Sequence, residues 1–489
     1  MNLIVILIDS LNRRCLGPYG NKTVKTPNLD RFARKAAVFD NHFVGSTPCM
    51  PARRELMTGR KEFFWRGWGP LEPFDEPVAL EARKAGAVTA MVTDHYHYWE
   101  NSAHGYLEHF DCVKLIRGHE LDMWNTDPCK DDDVPRWAKA IDAGRPGLGT
   151  RYYKNVKDFR EEADFFSPKT LSEAADWLER NHTHKKFFLW AECFDVHEPF
   201  HVPEPYRSMY TDKVSEDFNC WPPYQGGFHG HDEKFWDNVT EDELEFIRGQ
   251  YYGKVTMTDK WLGKLLDKMD EHGLWEDTAV IVTTDHGHEL GEKERFGKQP
   301  PHYDLNAHIP LMIWHPSLDG TFRVPAFTTA VDVYPTMLEI MGADASRSPH
   351  GRSLMPLLRR ETGIHRDAVV YGQFGSGATV TNGRYTYHSG WDKNLGLNCY
   401  TSVPLRPGRD FENAVSGKFI PGVECPVWKY ACGNSPVIPE LLFDRIDDPL
   451  QDNDLSAFDR AGVREMREVL KNLMDEEGVP PEQYARLGF

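Results

Sequence analysis

The run Leu3-Ile4-Val5-Ile6-Leu7-Ile8-Asp9 decides the fold class. An unbroken apolar run predicts a short strand buried on both faces, which is typical of parallel sheets covered by helices. Similar runs predict further strands at Val88–Val92, Phe187–Cys193, Ala279–Thr283 and Leu311–Trp314. Helical periodicity separates the runs, at Asn28–Ala37, Pro168–Asn181 and Thr240–Glu271. We therefore expect an α/β fold with a large, mostly parallel central sheet and helices on both faces.

Polar residues follow four of the predicted strands at the point where each strand ends. These residues are Asp9, Thr93-Asp94-His95, Asp195-Val196-His197 and Asp285-His286-Gly287. Functional groups in such sheets collect beyond the carboxyl ends of the strands. One edge of the sheet should therefore gather several carboxylates and imidazoles.

Composition excludes several classes of protein. The 489 residues include 57 Lys and Arg against 75 Asp and Glu, a formal net charge of −18, and 40% are hydrophobic. This hydrophobic content excludes a disordered chain, and the acidic balance argues against nucleic-acid or anionic-membrane partners. No apolar run is long enough for a membrane helix, and the short amino-terminal run does not fit a secretory signal. The nine cysteines lack paired spacing, so we expect a cytoplasmic protein without a disulfide framework.

The pattern changes along the second half of the chain. Residues 118–168 look irregular and predict either a solvated insertion or a lid over the site. Farther on, Asn382-Gly383 between Thr379–Thr381 and Arg384–His388 predicts a hairpin, and a helix is expected near Arg460–Glu477. We therefore divide the chain into an α/β domain, residues 1–364, and a small α+β subdomain with an antiparallel sheet and a terminal helix, residues 365–489.

The stretch Cys49-Met50-Pro51-Ala52-Arg53, continued by Leu56-Met57-Thr58-Gly59-Arg60, is the most informative motif for chemistry. A phosphatase loop is excluded because it would need arginine at position 55, which is Glu. A thiol nucleophile activated by histidine has no local support, and a buried structural cysteine stays open.

These two motifs resemble the signature of the Cys-type sulfatases of the alkaline phosphatase superfamily, in which the cysteine is oxidised to formylglycine. Ala52 stands where Ser is commoner in that family. Other segments are similar to family blocks in the same order along nearly the whole chain: Asp9, Thr26–Asp30, Asp285–Gly287, Lys298, Ile309–Leu311, Asp332–Thr336 and Glu440–Asn453. The resemblance implies an alkaline phosphatase-like fold, with residues 1–364 as the sulfatase catalytic domain.

The resemblance also implies the cofactors. One divalent metal ion would be held by Asp9, Asp285, His286 and an oxygen of modified Cys49. A ligand set of aspartates and histidine favours Mn²⁺ over Ca²⁺, although Ca²⁺ stays open. Ser10 stands where most sulfatases have a second carboxylate, so one ligand fewer is expected. A formylglycine-generating maturase would be a transient partner.

Catalytic roles follow from the same resemblance. The aldehyde hydrate made from Cys49 would attack the ester, and its second hydroxyl would later expel the inorganic group. Arg53 would hold the hydrate and the metal-bound oxygens, and Lys298 would contact a nonbridging oxygen as a point charge. His197 would contact the esterified oxygen and assist proton transfer.

The leaving-group side is where this sequence departs from common sulfatases. It is expected to be lined by Asp94, His95, Tyr96 and His97, where most members carry Lys-Xaa-His. Phosphonate monoester hydrolases share this departure. The missing lysine favours singly charged esters over doubly charged phosphate monoesters.

We therefore predict a promiscuous sulfate monoester hydrolase acting on small anionic esters. A phosphonate monoester or phosphodiester hydrolase with the same machinery is the alternative. A noncatalytic metal-binding protein of the same fold is the alternative from another class, and a homo-oligomer stays open.

Overall fold

Strands and helices alternate along the residues that the computed structural model describes, which are 1–214, 221, 224, 233–344, 349–392, 394–404, 409–433 and 438–489. The strands are β1 Asn2–Ile8, β2 Ala37–Phe43, β3 Ser46–Thr47, β4 Val88–Thr93, β5 Cys112–Leu115, β6 Phe187–Cys193, β7 Thr278–Thr283, β8 Glu289–Leu290, β9 Phe296–Gly297, β10 Leu311–Trp314, β11 Phe322–Thr329, β12 Val369–Gln373, β13 Ala378–Thr381, β14 Tyr385–His388, β15 Leu397–Thr401, β16 Val415–Gly417, β17 Val427–Cys432 and β18 Leu441–Asp444. The helices are α1 Pro27–Ala33, α2 Cys49–Thr58, α3 Val78–Lys84, α4 Arg136–Gly144, α5 Leu148–Val156, α6 Phe166–Asn181, α7 Glu233–Trp236, α8 Glu241–Glu271, α9 Asp304–Ala307, α10 Val333–Met341, α11 Met355–Leu358, α12 Arg460–Glu477 and α13 Pro481–Arg486.

An eight-stranded sheet with the order β11-β2-β10-β7-β1-β6-β4-β5 forms the centre of the molecule. Strand β1 pairs in parallel with both β6 and β7, and β10 pairs antiparallel with its neighbours β7 and β2. The prediction of a large, mostly parallel sheet is confirmed. Strands β2, β5 and β11 were not predicted, because their runs are short or contain polar residues.

Helices cover both faces of this sheet, as predicted. Alternate residues of a strand point to opposite faces, and β1 divides its side chains in this way between two cores. Ile4, Ile6 and Ile8 pack in one core with residues of α1, α6 and α8. Leu3, Val5 and Leu7 pack in the other core with residues of α2, α3 and α10. Burial on both faces explains the unbroken apolar run that opens the sequence.

Two local predictions are corrected by the structure. The helix expected over Asn28–Ala37 ends at Ala33, and Ala37 begins β2 instead. The segment 118–168 is not irregular, because it contains the helix pair α4 and α5. A side chain at Gly149 would lie 1.9 Å from the Ala138 carbonyl oxygen, so the Pro/Gly cluster of this segment is a tight helix connection.

The carboxy-terminal part forms a five-stranded sheet with the order β18-β14-β13-β12-β3. The predicted hairpin is present as β13 and β14, and α12 has the predicted bounds. Strand β3, two residues before Cys49, pairs with β12 through Ser46 and Gly372, so this sheet reaches the segment that carries the cysteine. The division after residue 364 stays a prediction. Within the described residues, none of the helices combines the length and apolar character needed to cross a bilayer.

Candidate active site

The ends of two adjacent strands and the first turn of one helix converge at the predicted edge of the sheet. Asp9 follows β1, Asp285 and His286 follow β7, and Cys49 begins α2. All four are buried, and one ligand atom from each lies within 4.8 Å of the ligand atoms of the others. The structure therefore brings together the four residues predicted as metal ligands.

Helix α2 positions two of the predicted catalytic residues at this edge of the sheet. Cys49 and Arg53 are four residues apart, so they share one helix face. The helix ends at Gly59, whose backbone has a φ of 69° and whose N–H donates to the Glu55 carbonyl oxygen. The partial positive charge of the helix amino terminus lies at Cys49, which favours an anionic group there.

Arg53 is completely buried among three carboxylates. Its guanidinium donates to Asp9 Oδ2 at 2.7 Å, to Asp285 Oδ2 at 2.7 Å and to Glu192 Oε1 at 2.8 Å. Burial alone would lower the pKa of Arg53, but the charges of Glu192, Asp285 and Asp9 outweigh burial and raise that pKa well above its usual range. Arg53 is therefore a permanent cation that fixes two predicted metal ligands.

Glu192 was missed by the sequence analysis. It lies on β6 in the otherwise apolar run Phe187–Cys193, and a lone carboxylate in such a run was the available signal. Its second oxygen accepts hydrogen bonds from Tyr98 Oη at 3.0 Å and from Trp190 Nε1 at 2.7 Å. Glu192 thus fixes Arg53 through the Nε atom. In the described hydrogen bonds, Glu192 contacts none of the four predicted metal ligands.

His286 presents one ring nitrogen to the cluster. Its Nδ1 donates to the Gly287 carbonyl oxygen at 2.9 Å, so Nε2 is left as an acceptor, 3.3 Å from Cys49 Sγ. Burial lowers the pKa of His286 to about 4, which keeps the imidazole neutral. A neutral imidazole with an available nitrogen is the form that binds metal ions.

Ser10 takes a bracing role at the position where a second carboxylate is usual in the family that the sequence resembles. Its hydroxyl donates to Asp9 Oδ1 at 2.7 Å, and its backbone N–H donates to Asp285 Oδ1 at 3.0 Å. Its φ of 58° lies in the left-handed region, which costs energy for a residue other than glycine. Both contacts leave the Oδ2 atoms of the two aspartates directed at Arg53.

Lys298 and His197 meet at a second buried carboxylate, Glu198. Lys298 Nζ lies 3.5 Å from Glu198 Oε2, and His197 Nδ1 lies 3.3 Å from the same oxygen. His288, also missed by the sequence analysis, places Nε2 at 3.2 Å from it. Burial lowers the pKa of Lys298, but the neighbouring Cys49, Glu198 and Asp9 groups outweigh burial and raise it, so Lys298 stays cationic.

A buried lysine behind His197 holds its loop in place. Lys254 Nζ donates to the His197 carbonyl oxygen at 3.0 Å and lies 2.6 Å from Asp195 Oδ1. His119 Nε2 contacts the same Asp195 oxygen at 2.9 Å. Lys254 lies on the buried side of α8, so the signal that could have found it was a lysine at an apolar position of a helical pattern.

The four residues predicted on the leaving-group side have different surroundings. The His95 ring faces the cluster, with Nε2 at 3.8 Å from Asp9 Oδ2. Tyr96 packs its ring at 4.1 Å from that of His97, whose Nδ1 contacts Glu100 Oε2 at 2.8 Å. Asp94 is fully buried, and its Oδ1 accepts a hydrogen bond from the Phe194 N–H at 2.7 Å. Their substrate contacts stay predictions.

The comparison with known families decides the identity of the chain. The model of the family described as Sulfatase matches residues 1–343. This chain belongs to the sulfatase family. It is therefore a hydrolase of sulfuric esters, as the sequence analysis predicted.

Relatives of this sulfatase are distant but extend over most of its length. It is 25% identical over 404 residues to the arylsulfatase of Clostridium perfringens (strain 13 / Type A), covering 77% of this chain and 82% of that protein. It is 27% identical over 390 residues to the multifunctional alkaline phosphatase superfamily protein PehA of Trinickia caryophylli, covering 68% of this chain and 71% of that protein. The phosphonate monoester hydrolase of Agrobacterium radiobacter shares its fold, with a TM-score of 0.69, 20% identity and coverage of 97% and 96%.

Replacement of Asp94 by asparagine is expected to stabilise this sulfatase more at pH 8 than at pH 5. Burial and the charge of Asp195 raise the pKa of Asp94 to about 8. The folded chain therefore keeps a proton that the unfolded chain releases near pH 4, so wild-type stability falls as the pH rises through this interval. Asparagine does not titrate and removes that loss.

Guanidinium unfolding at both pH values measures the effect. The gain from Asp94→Asn should be larger at pH 8 by about 1–3 kcal/mol. Asp131→Asn, at an exposed aspartate, is the control and should show no such difference. A gain from Asp94→Asn that is the same at both pH values would contradict the prediction.

Proposed function

We propose that this sulfatase cleaves sulfate monoesters with formylglycine made from Cys49 as the nucleophile and one divalent metal ion held by Asp9, Cys49, Asp285 and His286. The observation that supports the proposal most directly is the place of Cys49 within that group of ligand atoms, at the amino terminus of α2. The formylglycine hydrate would supply both the attacking oxygen and the hydroxyl that later releases the sulfate.

The residues present fit a divalent cation. Asp9, Asp285, Glu192 and Glu198 supply four buried carboxyl groups, whereas Arg53 and Lys298 supply two cations, so the site has two more carboxyl groups than basic side chains and a divalent ion would balance them. When bound, the metal would neutralise charge on the nonbridging oxygens of the ester. The mixed carboxylate and imidazole set favours Mn²⁺ over Ca²⁺.

The protein groups divide into two sets. Arg53 uses Nε and both terminal nitrogens on carboxylates, and Nη1 also donates to the Cys49 carbonyl oxygen at 3.0 Å, so it positions the ligands and the nucleophile. Lys298 would attract a nonbridging oxygen. His197 donates from Nδ1 to the Glu198 carbonyl oxygen at 2.9 Å, which leaves Nε2 to face the leaving oxygen. The Glu198 carboxylate would stabilise the imidazolium that donates a proton there.

The experiment for this function compares four esters of one phenol: sulfate, phenylphosphonate, phosphodiester and phosphate monoester. We expect kcat/KM for the singly charged esters to exceed that for the phosphate monoester by roughly tenfold or more, because Asp94 replaces a lysine and the second charge lacks compensation. The sulfate should be the best substrate. A phosphonate or diester preference would favour the alternative, which is supported by the fold shared with phosphonate monoester hydrolases. Metal binding without turnover of any ester would favour the noncatalytic alternative.

Replacement of Asp285 by asparagine is expected to remove the bound metal and reduce kcat by about 10³-fold or more. Asp285 is one of only two carboxylates in the group of four, and Arg53 would keep one less partner. Elemental analysis of the purified proteins should give one metal ion per wild-type chain and much less in the variant. The control is Asp267→Asn, at an exposed position of α8, which should retain both metal and activity. Full metal content in Asp285→Asn would refute this ligand assignment.

A further inference from the structure

A cavity of about 470 Å³ lies between the segment after α2 and the three-stranded sheet of β15, β17 and β16. Three aromatic residues line it: Trp68, Phe411 and Tyr430. The rings of Phe411 and Tyr430 are 5.4 Å apart. The volume is in the range of sites that take a small organic molecule.

A continuous series of contacts joins this cavity to the candidate active site. The Trp68 ring lies 4.7 Å from the His97 ring, and the His97 ring lies 5.3 Å from the His95 ring. His95 in turn faces Asp9. A second connection is the Tyr106 hydroxyl, which is 3.2 Å from the Met50 carbonyl oxygen and 3.5 Å from that of Gly69 on the cavity wall. The cavity therefore lies beside His97, one of the four residues predicted on the leaving-group side.

The lining of the cavity carries one exposed carboxylate. Among the described lining residues, Arg66 and Glu100 carry charge. The Arg66 guanidinium is 2.9 Å from Glu62 and 2.5 Å from Glu72, so its charge is compensated within the protein. Glu100 keeps an exposed carboxylate whose described contact is with His97. The Glu100 carboxylate would repel an anionic substituent in the cavity. It would attract a cation, which the aromatic faces would also stabilise.

We propose that this cavity binds the alcohol portion of the ester and prefers a cationic ring substituent to a neutral one, and a neutral one to an anionic one. The proposal rests on the proposed function for the identity of the ester. It adds a substrate class: aryl or similarly flat alcohols that carry an ammonium group, and not alcohols that carry a carboxylate or a second sulfate.

Binding of three phenols tests the preference without turnover. The probes are 4-(trimethylammoniomethyl)phenol, 4-(hydroxymethyl)phenol and 4-(carboxymethyl)phenol, titrated calorimetrically into the Cys49→Ala protein. The cationic phenol should bind on the order of tenfold tighter than the anionic one. Equal affinities, a preference for the carboxylate, or no measurable binding of any phenol would overturn the proposal.

Two variants assign the binding to the cavity. Glu100→Gln should weaken the cationic phenol about fivefold and leave the neutral phenol nearly unchanged. Trp68→Leu should weaken both. The matched controls are Glu108→Gln and Trp99→Leu, at exposed residues that do not line the cavity, and they should change nothing. If the controls weaken binding as much as the cavity variants, the assignment is wrong.

The sulfate esters of the same three phenols, given to the unmutated chain, complete the test. If kcat/KM follows the order of phenol affinity and Glu100→Gln removes the difference, the cavity holds the alcohol portion. If kcat/KM ignores the substituent, the cavity is not part of the substrate site and the proposal fails. Hydrolysis of no ester, with phenol binding as described, would sink the proposed function and leave the cavity preference established.

Discussion

Replacement of Cys49 by alanine is expected to lower kcat by about 10⁴-fold or more and to leave the fold intact. The variant removes the only atom of this side chain that could become the nucleophile. Cys49 is buried but small, and its described side-chain contact is with His286 Nε2. The loss of stability should therefore stay below about 2 kcal/mol.

Serine at position 49 should behave differently from alanine. Its hydroxyl can accept the sulfuryl group, but the resulting ester has no second hydroxyl on the same carbon to expel sulfate. We expect one turnover per chain at most, observed as a burst of phenol without a steady state. Alanine should give no burst.

Mass spectrometry of the peptide that contains position 49 completes the measurement. Active wild type should show the mass change for exchange of sulfur for oxygen with loss of two hydrogens. Cys193→Ala is the matched control, because Cys193 is equally buried at the end of the neighbouring β6 and should be dispensable for turnover. Full activity of Cys49→Ala would refute the nucleophile, and full activity with an unmodified thiol would refute the modification.

Much of the fold could be predicted because its central strands are buried on both faces. A run such as Leu3–Ile8 has no polar residue that could face solvent, and its length suits a strand. The end of each parallel strand then locates Asp9, Asp285 and His286 at one edge without any knowledge of distances. Strands β2 and β11 escaped prediction because they lie toward the sheet margin and contain polar residues such as Asp40 and Arg323.

The partners of the catalytic residues could not be predicted, since they come from distant parts of the chain. Arg53 and Glu192 are 139 residues apart, and Asn12 contacts His288 across 276 residues. A sequence indicates that a buried arginine needs a carboxylate, but not which one. The same limit applies to Lys254, whose apolar helical position could indicate burial but not that it contacts Asp195 and the His197 carbonyl oxygen.

Replacement of Arg53 by methionine is expected to destabilise the protein by about 3–5 kcal/mol and to disorganise the metal site. Methionine fills much of the volume but leaves Asp9, Glu192 and Asp285 buried without their shared cation. Because the three carboxylates would then repel one another, they must take up protons or separate. Arg53→Lys should lose less stability, because its ammonium group keeps the positive charge. It should still be destabilised, because one ammonium cannot reach three carboxylates at once.

The charge explanation is tested by combining Arg53→Met with Glu192→Gln. Glu192 lies away from the predicted ligands, so its neutralisation should recover about 1–2 kcal/mol in guanidinium unfolding, although Glu192→Gln alone should be destabilising. Added Mn²⁺ should stabilise the Arg53→Met chain further, because a cation held by Asp9 and Asp285 replaces part of the missing positive charge. Two results together would contradict the charge explanation: Glu192→Gln lowers the stability of the Arg53→Met chain further, and Mn²⁺ does not change its unfolding midpoint. Arg53 would then stabilise the fold through packing, and other groups would compensate the carboxylates.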